Sequence, residues 1–406
     1  MAPMQPRISF PLTITCCVLL LTLMTSHAQA PANDCERDAH PVTELGQLVG
    51  RGKTLTPTDF PYPIDRPATR YLRLRLEVIN PPDCDWYLTV RDKDLQLIET
   101  LTAEDFKGSA NQWTRRVYGR KAVLDLETCP GEPNRPGVML QEYLAMPEKT
   151  DKNPYYSKQH NIPEWKPLYV GDDRFRSWGD YVGLMIGSWN SREVWTCSGV
   201  MIASDLFLTN WHCGSPRTLG DGTAANPFKP FPETGYWDEE TILKDILIDT
   251  SWDSDNVSRD FRVTRKLACS KDLDFAILEV KPINSSGKVR PVRIAKGVSS
   301  GDHIWIVQHP LAMPKQISNC IVITAETPGS AEFTHQCDTE AGSSGAPVFN
   351  SDGDLVGIHH KGFELDKDTC KPLLPKLNRA VRIDKIMAFL RDTQKYTPVY
   401  DRIPRK

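Results

Sequence analysis

Gly342-Ser343-Ser344-Gly345-Ala346-Pro347 is the stretch on which the reading of this chain turns. A hydroxyl works as a nucleophile only on a tight, exposed turn. Glycines on both sides of Ser344 permit that turn and let a carbonyl approach the backbone. In such a turn the N–H groups of Gly342 and Ser344 point together, where they would hold a developing oxyanion. Ser343 is the rival in the neighbouring register, and taken alone the stretch reads equally well as a Gly/Ser surface turn.

Acyl transfer also needs a base and a group that orients the base. The base candidate is His212, in Leu208-Thr209-Asn210-Trp211-His212-Cys213-Gly214, delivered by the apolar strand 201–208. Cys197 lies sixteen residues before Cys213, a spacing that fits a disulfide across a hairpin and would pin the loop that carries the imidazole. The orienting candidate is Asp274, at the mouth of the apolar run Phe275-Ala276-Ile277-Leu278. A half-buried carboxylate there would fix the imidazole tautomer and stabilise the imidazolium. Asp272 is its rival.

Around these motifs the chain is expected to be all-β. Residues 71–79 alternate, with Leu72, Leu74, Leu76 and Val78 on one side and Arg73, Arg75 and Glu77 on the other, the pattern of a half-buried strand. Residues 86–90, 95–101, 121–126 and 138–144 are further strands between Pro, Asp and Gly turns, so 31–145 reads as a small β-sandwich-like domain, either a removable pro-segment or a binding module. Cys84 and Cys129 are placed to staple it. Gly52-Lys53-Thr54 is no phosphate loop, because the glycine such a loop needs is Gln47. Residues 146–180, polar and rich in Pro, Tyr and Trp, read as a connecting segment. Short strands resume at 181–188, 196–202, 206–210, 275–280, 303–308, 320–324, 346–349 and 355–359. Ile383, Ile386, Met387 and Leu390 recur at helical spacing, predicting an amphipathic helix over 382–393. Residues 396–406 are expected as a C-terminal tail.

The chain has 49 basic and 52 acidic residues among 406, which provides no basic field for nucleic acid. Residues 1–30 read as a signal peptide. Arg7 supplies the basic start, the apolar run 11–23 is too short to span a bilayer, and Ala28 or Ala30 precedes the cleavage point. No later run is long enough for a membrane helix. The expectation is therefore a secreted protein, extracellular or periplasmic, off the membrane once the signal is removed. Of eleven cysteines, Cys16 and Cys17 leave with the signal and nine remain, which an oxidising compartment makes disulfide candidates. Cys35, Cys269 and Cys370 are left unassigned. Asn256-Val-Ser and Asn284-Ser-Ser are glycosylation sequons.

From about 180 to 395 the chain resembles the trypsin-like peptidases, and within them the secreted V8-like, glutamyl endopeptidase-type branch. The resemblance is carried by Thr209-Asn210-Trp211-His212-Cys213, Asp274-Phe275-Ala276-Ile277-Leu278, Cys337-Asp338-Thr339 before the Ser344 turn, and Gly357-Ile358-His359-His360. It implies two six-stranded β-barrels of chymotrypsin type over 181–395, with the site in the cleft between them and polypeptides as substrates. His212, Asp274 and Ser344 would form the triad and the Gly342 and Ser344 amides the oxyanion hole. Digestive trypsins carry an Asp immediately before the nucleophile, to pair with a newly cut N-terminus. Ser343 stands there instead, and no Ile-Val-Gly-Gly-like segment follows a basic residue near 180, so a preformed oxyanion hole is expected.

The specificity pocket is read in two ways. Asp338, six residues before Ser344, occupies the position of the basic-selective Asp of trypsin-like enzymes. Thr339 and His359 match the pair that lines the pocket of the glutamyl-specific relatives. The preference at P1, the substrate residue before the cut bond, is thus acidic or else basic. Backbone pairing to substrate is expected from residues 360–362. Cys320 and Cys337 flank a strand pair and are expected to bond. His335, Cys337, His359 and His360 match no compact metal motif, and neither metal nor cofactor is expected. Two other function classes compete: a catalytically silent protease-fold binding protein, and an acyl hydrolase of the α/β type. The second lacks its Gly-x-Ser-x-Gly elbow and has a different triad order.

Overall fold

The computed structural model describes residues 47–49, 52–81, 84–106, 111–128, 137–147, 166–168, 173–189, 193–214, 237, 243, 246–253, 259–283, 289–325, 330–363 and 377–404. The segment 1–30 read as a signal peptide, both sequons, Cys35, Cys129 and Cys370 lie outside them.

The N-terminal strands are β1 (Gln47–Val49), β2 (Lys53–Leu55), β3 (Tyr62–Asp65), β4 (Thr69–Ile79), β5 (Tyr87–Arg91), β6 (Leu97–Leu101), β7 (Asn111–Trp113), β8 (Val117–Tyr118), β9 (Lys121–Glu127) and β10 (Gly137–Pro147). They make two layers. One is a four-stranded sheet, β3-β9-β5-β6; the other is built on the long antiparallel pair β4 and β10. Leu72, Leu74 and Leu76, the side of β4 expected to be apolar, close against Leu88 and Val90 of β5 in one buried cluster. On the opposite side of β4, Arg73 is completely buried, an outcome alternation alone argues against. Cys84 is disulfide-bonded.

β11 (Lys166–Pro167) and α1 (Asp173–Gly179) lead into the first barrel: β12 (Val182–Trp189), β13 (Glu193–Ala203), β14 (Leu206–Thr209), β15 (Leu247–Asp249), β16 (Asp260–Ser270) and β17 (Phe275–Pro282). Their order is β12-β15-β16-β17-β14-β13, closed by pairing of β12 with β13. The second barrel comprises β18 (His303–Gln308), β19 (Gln316–Thr324), β20 (Glu332–His335), β21 (Pro347–Phe349), β22 (Leu355–Lys361) and β23 (Asn378–Arg382). Its order is β19-β18-β21-β22-β23-β20, closed by β19 with β20. The fold is mostly β, two closed six-stranded antiparallel barrels. β1 bridges the first barrel to β10, so the N-terminal β4–β10 layer continues that barrel's sheet.

α2 (Ile383–Asp392) forms where helical spacing places it, and buries Ile383, Ile386 and Leu390. These join Phe275, Ile277 and Leu208 of the first barrel with Val307, Phe349 and Val381 of the second in one core. Each such side chain contributes about 2 kcal/mol, so the helix clamps both barrels. The segment read as a tail forms α3 (Thr397–Arg402), whose Val399, with Ile403 beyond it, seals the same core.

Candidate active site

His212 lies on the single helical turn Trp211–Gly214 that follows β14. Packing on both sides of the turn fixes it. Trp195 Nε1 donates to the Cys213 carbonyl at 2.7 Å and Trp237 Nε1 to the Trp211 carbonyl at 2.8 Å. Cys197 and Cys213 are disulfide-bonded, with Cα atoms 6.2 Å apart. The Cys320–Cys337 bond is also present.

Asp274 opens β17, and its carboxylate grips the His212 turn twice. Oδ1 accepts the His212 backbone N–H at 3.0 Å and Oδ2 lies 2.8 Å from His212 Nδ1. Asn210 Nδ2 donates to the Asp274 carbonyl at 2.8 Å. Asp272, the rival, is exposed. A third partner was not read from sequence: His360 of β22 places Nδ1 3.0 Å from the same Oδ2, while its Nε2 lies 3.1 Å from Glu332 Oε1. Burial alone would push the Asp274 carboxyl up, but the bonds and charges of His212 and His360 outweigh it and hold it well below the usual carboxylate range. Burial likewise disfavours a charged His360, yet its two carboxylate partners carry it up to about 8. His360 was expected to offer only backbone to substrate; its side chain links the barrels behind the site.

The Ser344 turn is shaped by glycine. Gly342 has φ +90°, and a Cβ there would meet the His309 carbonyl at 2.7 Å. Ser198 Oγ donates to the Gly342 carbonyl at 2.8 Å and accepts the His309 N–H at 2.9 Å. The N–H groups of Gly342 and Ser344 have no hydrogen-bond partner among the described residues. Ser344 is half-buried. Ser343, the other serine, is completely buried, and its hydroxyl accepts the Glu340 N–H at 3.1 Å. Among the described residues no hydrogen bond joins Ser344 Oγ to His212; such contacts are often loose before substrate binds.

Thr339 and His359 are both buried beside this turn, as is Asp338. Asn378 Nδ2 donates to Thr339 Oγ1 at 3.0 Å and to the Cys337 carbonyl at 2.7 Å, and Gln308 Nε2 donates to the Asp338 carbonyl at 2.8 Å. His359 Nδ1 lies 3.3 Å from Nε2 of His335, which is itself completely buried. Burial, reinforced by neighbouring imidazoles, holds His359 well below its ordinary value and His335 down at about 3, so both rest neutral. Two clusters bring histidine and cysteine atoms within 4.8 Å, but their cysteines are spent in the two disulfides and offer no thiolate.

Residues 197–358 match the family model of the trypsin-like peptidase domain. That stretch, which holds His212 and Ser344, is similar to the trypsin-like peptidase domain. The match begins at the cysteine that pins the His212 turn and ends one residue before His359. Among solved structures, the inactive form of a serine-to-alanine mutant of Rv3671c from M. tuberculosis H37Rv aligns at 13% identity with a TM-score of 0.36, over 57% of this chain and 96% of that one.

Proposed function

We propose that the protein is a secreted serine endopeptidase in which His212, Asp274 and Ser344 act as a triad. The observation that carries the reading is the double grip of Asp274 on His212. With Nδ1 occupied, the imidazole presents Nε2 as the base. As Ser344 Oγ attacks the scissile carbonyl, His212 Nε2 takes its proton, and the Gly342 and Ser344 amides stabilise the oxyanion. Collapse expels the amine, which His212 protonates, and leaves an acyl-enzyme. Water then attacks with His212 again as base, releasing the acid and restoring the hydroxyl. Asp274 stays ionised throughout, in keeping with the two imidazoles that hold its proton affinity down. A fluorophosphonate should label the secreted protein at Ser344 and lose that label in Ser344→Ala. A folded wild type that stays unlabelled would instead favour a silent binding protein on the same fold.

Within this reading the P1 preference is acidic, as in the V8-like branch. His359 has His335 behind it and no partner for Nε2 among the described residues, so it is free to donate toward a P1 carboxylate beside Thr339. A pocket built to hydrogen-bond a substrate group discriminates steeply against substrates without it. His359→Ala should therefore lower kcat/KM for a Glu-P1 peptide by roughly 10²-fold or more, with little change for an apolar P1. Faster cleavage after Lys or Arg than after Glu in the wild type would transfer the pocket to Asp338.

A further inference from the structure

The strands before residue 148 enter the peptidase core, and they do so beside the oxyanion turn. Arg73 of β4 is completely buried. It forks onto Asp260 at 2.9 and 3.1 Å and reaches Asp249 Oδ2 at 2.5 Å, so both carboxylates belong to first-barrel strands. Arg116 joins the same Asp249 oxygen at 2.5 Å and the Ser251 carbonyl at 3.0 Å. Two buried carboxylates held by the Arg73 and Arg116 guanidiniums would be left uncompensated if those strands departed.

From Asp249 the contacts run toward Ser344. Trp252, three residues on, is gripped by N-terminal side chains. The Tyr71 ring meets it edge-on at 5.0 Å, Tyr118 lies at 6.0 Å, and the Arg116 guanidinium sits 4.9 Å over its face. Trp252 Nε1 donates to the Ala312 carbonyl at 2.9 Å, and its own carbonyl accepts the Lys315 N–H at 2.9 Å. Leu311 and Ala312 both have φ +52°, a sparsely populated conformation that persists only where the surroundings enforce it. Leu311 N–H in turn donates to the carbonyl of Ala341, the residue before Gly342, at 2.6 Å. Tyr71 and Leu144 share one apolar cluster with Trp252, Leu311 and Ala312, and Ala341 packs against it.

We infer that the N-terminal strands are a permanent buttress of the oxyanion turn rather than a removable pro-segment, with Arg73 and Arg116 as positioning residues that act through Trp252. The inference rests on the serine peptidase reading. It supplies what the Ser343 position lacks: in place of a newly cut N-terminus under the turn, a folded N-terminal unit braces it from the side. Stabilising a transition-state oxyanion depends on donors fixed in advance, so a loosened brace affects turnover rather than ground-state binding.

The test uses the full-length protein with Trp252→Phe, which keeps the ring packing and removes the bond to Ala312, and Arg73→Lys, which keeps the charge and loses the fork. In folded variants with near-native melting, kcat on a peptide should fall roughly tenfold, short of the 10²–10³ seen for outright loss of a donor, with KM within about twofold. Wild-type kcat in both would overturn the inference. A purely structural role would lower the melting temperature without this kcat-selective loss. As a second measurement, a site-specific cleavage sequence placed in 148–165 allows the folded chain to be nicked. The halves should co-elute and remain active; turnover by a peptidase half that elutes alone would overturn the inference. Absence of fluorophosphonate labelling in the wild type would instead defeat the peptidase reading on which it rests.

Discussion

At Gly342 a single methyl group would separate an open Ser344 turn from a distorted one. The residue combines φ +90° with a carbonyl 2.7 Å from where a Cβ would sit. Gly342→Ala should lower kcat by about 10²-fold, as expected for a misplaced oxyanion donor, while KM changes little; near-native kcat would mean the turn tolerates the side chain. The triad candidates were legible at this scale because each sits in its own short motif and the turn chemistry is local. The sequence favours Ser344 with Ser343 as its rival, and the fold buries Ser343, whose hydroxyl accepts the Glu340 N–H. His360 was legible as a residue but not as a partner of Asp274, since 86 positions separate them. His335 and Asn378, which hold His359 and Thr339, had no such role readable from local sequence.

Among the elements, the His212 turn shows how a strand end is converted into a rigid platform. β14 delivers it, two tryptophan N–H groups cap its carbonyls, and a disulfide closes a hairpin over a sequence separation of 16. A loop of that length stabilises by about 3 kcal/mol when cross-linked. The Cys197→Ser/Cys213→Ser double variant should lose stability of about that size in urea unfolding and, if it folds, should lose turnover through a less fixed imidazole. Unchanged stability would assign the turn's order to the tryptophans alone. Strands 71–79, 275–280 and 303–308 could be read from alternation or from apolar runs bounded by turns. β15, β16, β20 and β23 were not, because charged or polar side chains such as Asp249, Asp260 and Asn378 interrupt their patterns. Those side chains are buried by partners far along the chain; Asp260 meets Arg73 across 187 positions.

The molecule as a whole holds two barrels together through α2 and through the carboxylate–imidazole chain Asp274–His360–Glu332. His360 binds its proton more tightly in the folded state, at about 8 against an ordinary 6.5. A group with a raised folded value contributes stability that is complete below about pH 6.5 and disappears as pH rises through about 8. That gap corresponds to about 2 kcal/mol. Asp274 acts in the opposite direction: its lowered value contributes stability above the ordinary carboxylate range that is lost on acidification. Unfolding free energy should therefore drop by about 2 kcal/mol between pH 6 and 9, and His360→Gln should flatten that drop; an identical slope in the variant would remove His360 from the account. The double-barrel architecture was implied by the family resemblance that three ordered motifs carry, whereas the contacts of the N-terminal strands with the first barrel were not legible, since they join residues such as Arg73 and Asp260 that lie 187 positions apart.

The proposed chemistry depends most on an activated Ser344. The direct measurement is fluorophosphonate labelling of the purified protein, with Ser344→Ala and His212→Ala alongside. An activated Ser344 should give stoichiometric labelling of the wild type on Ser344, none in Ser344→Ala, and labelling slowed by orders of magnitude in His212→Ala. A folded wild type that remains unlabelled, or one labelled equally well without Ser344, would contradict it.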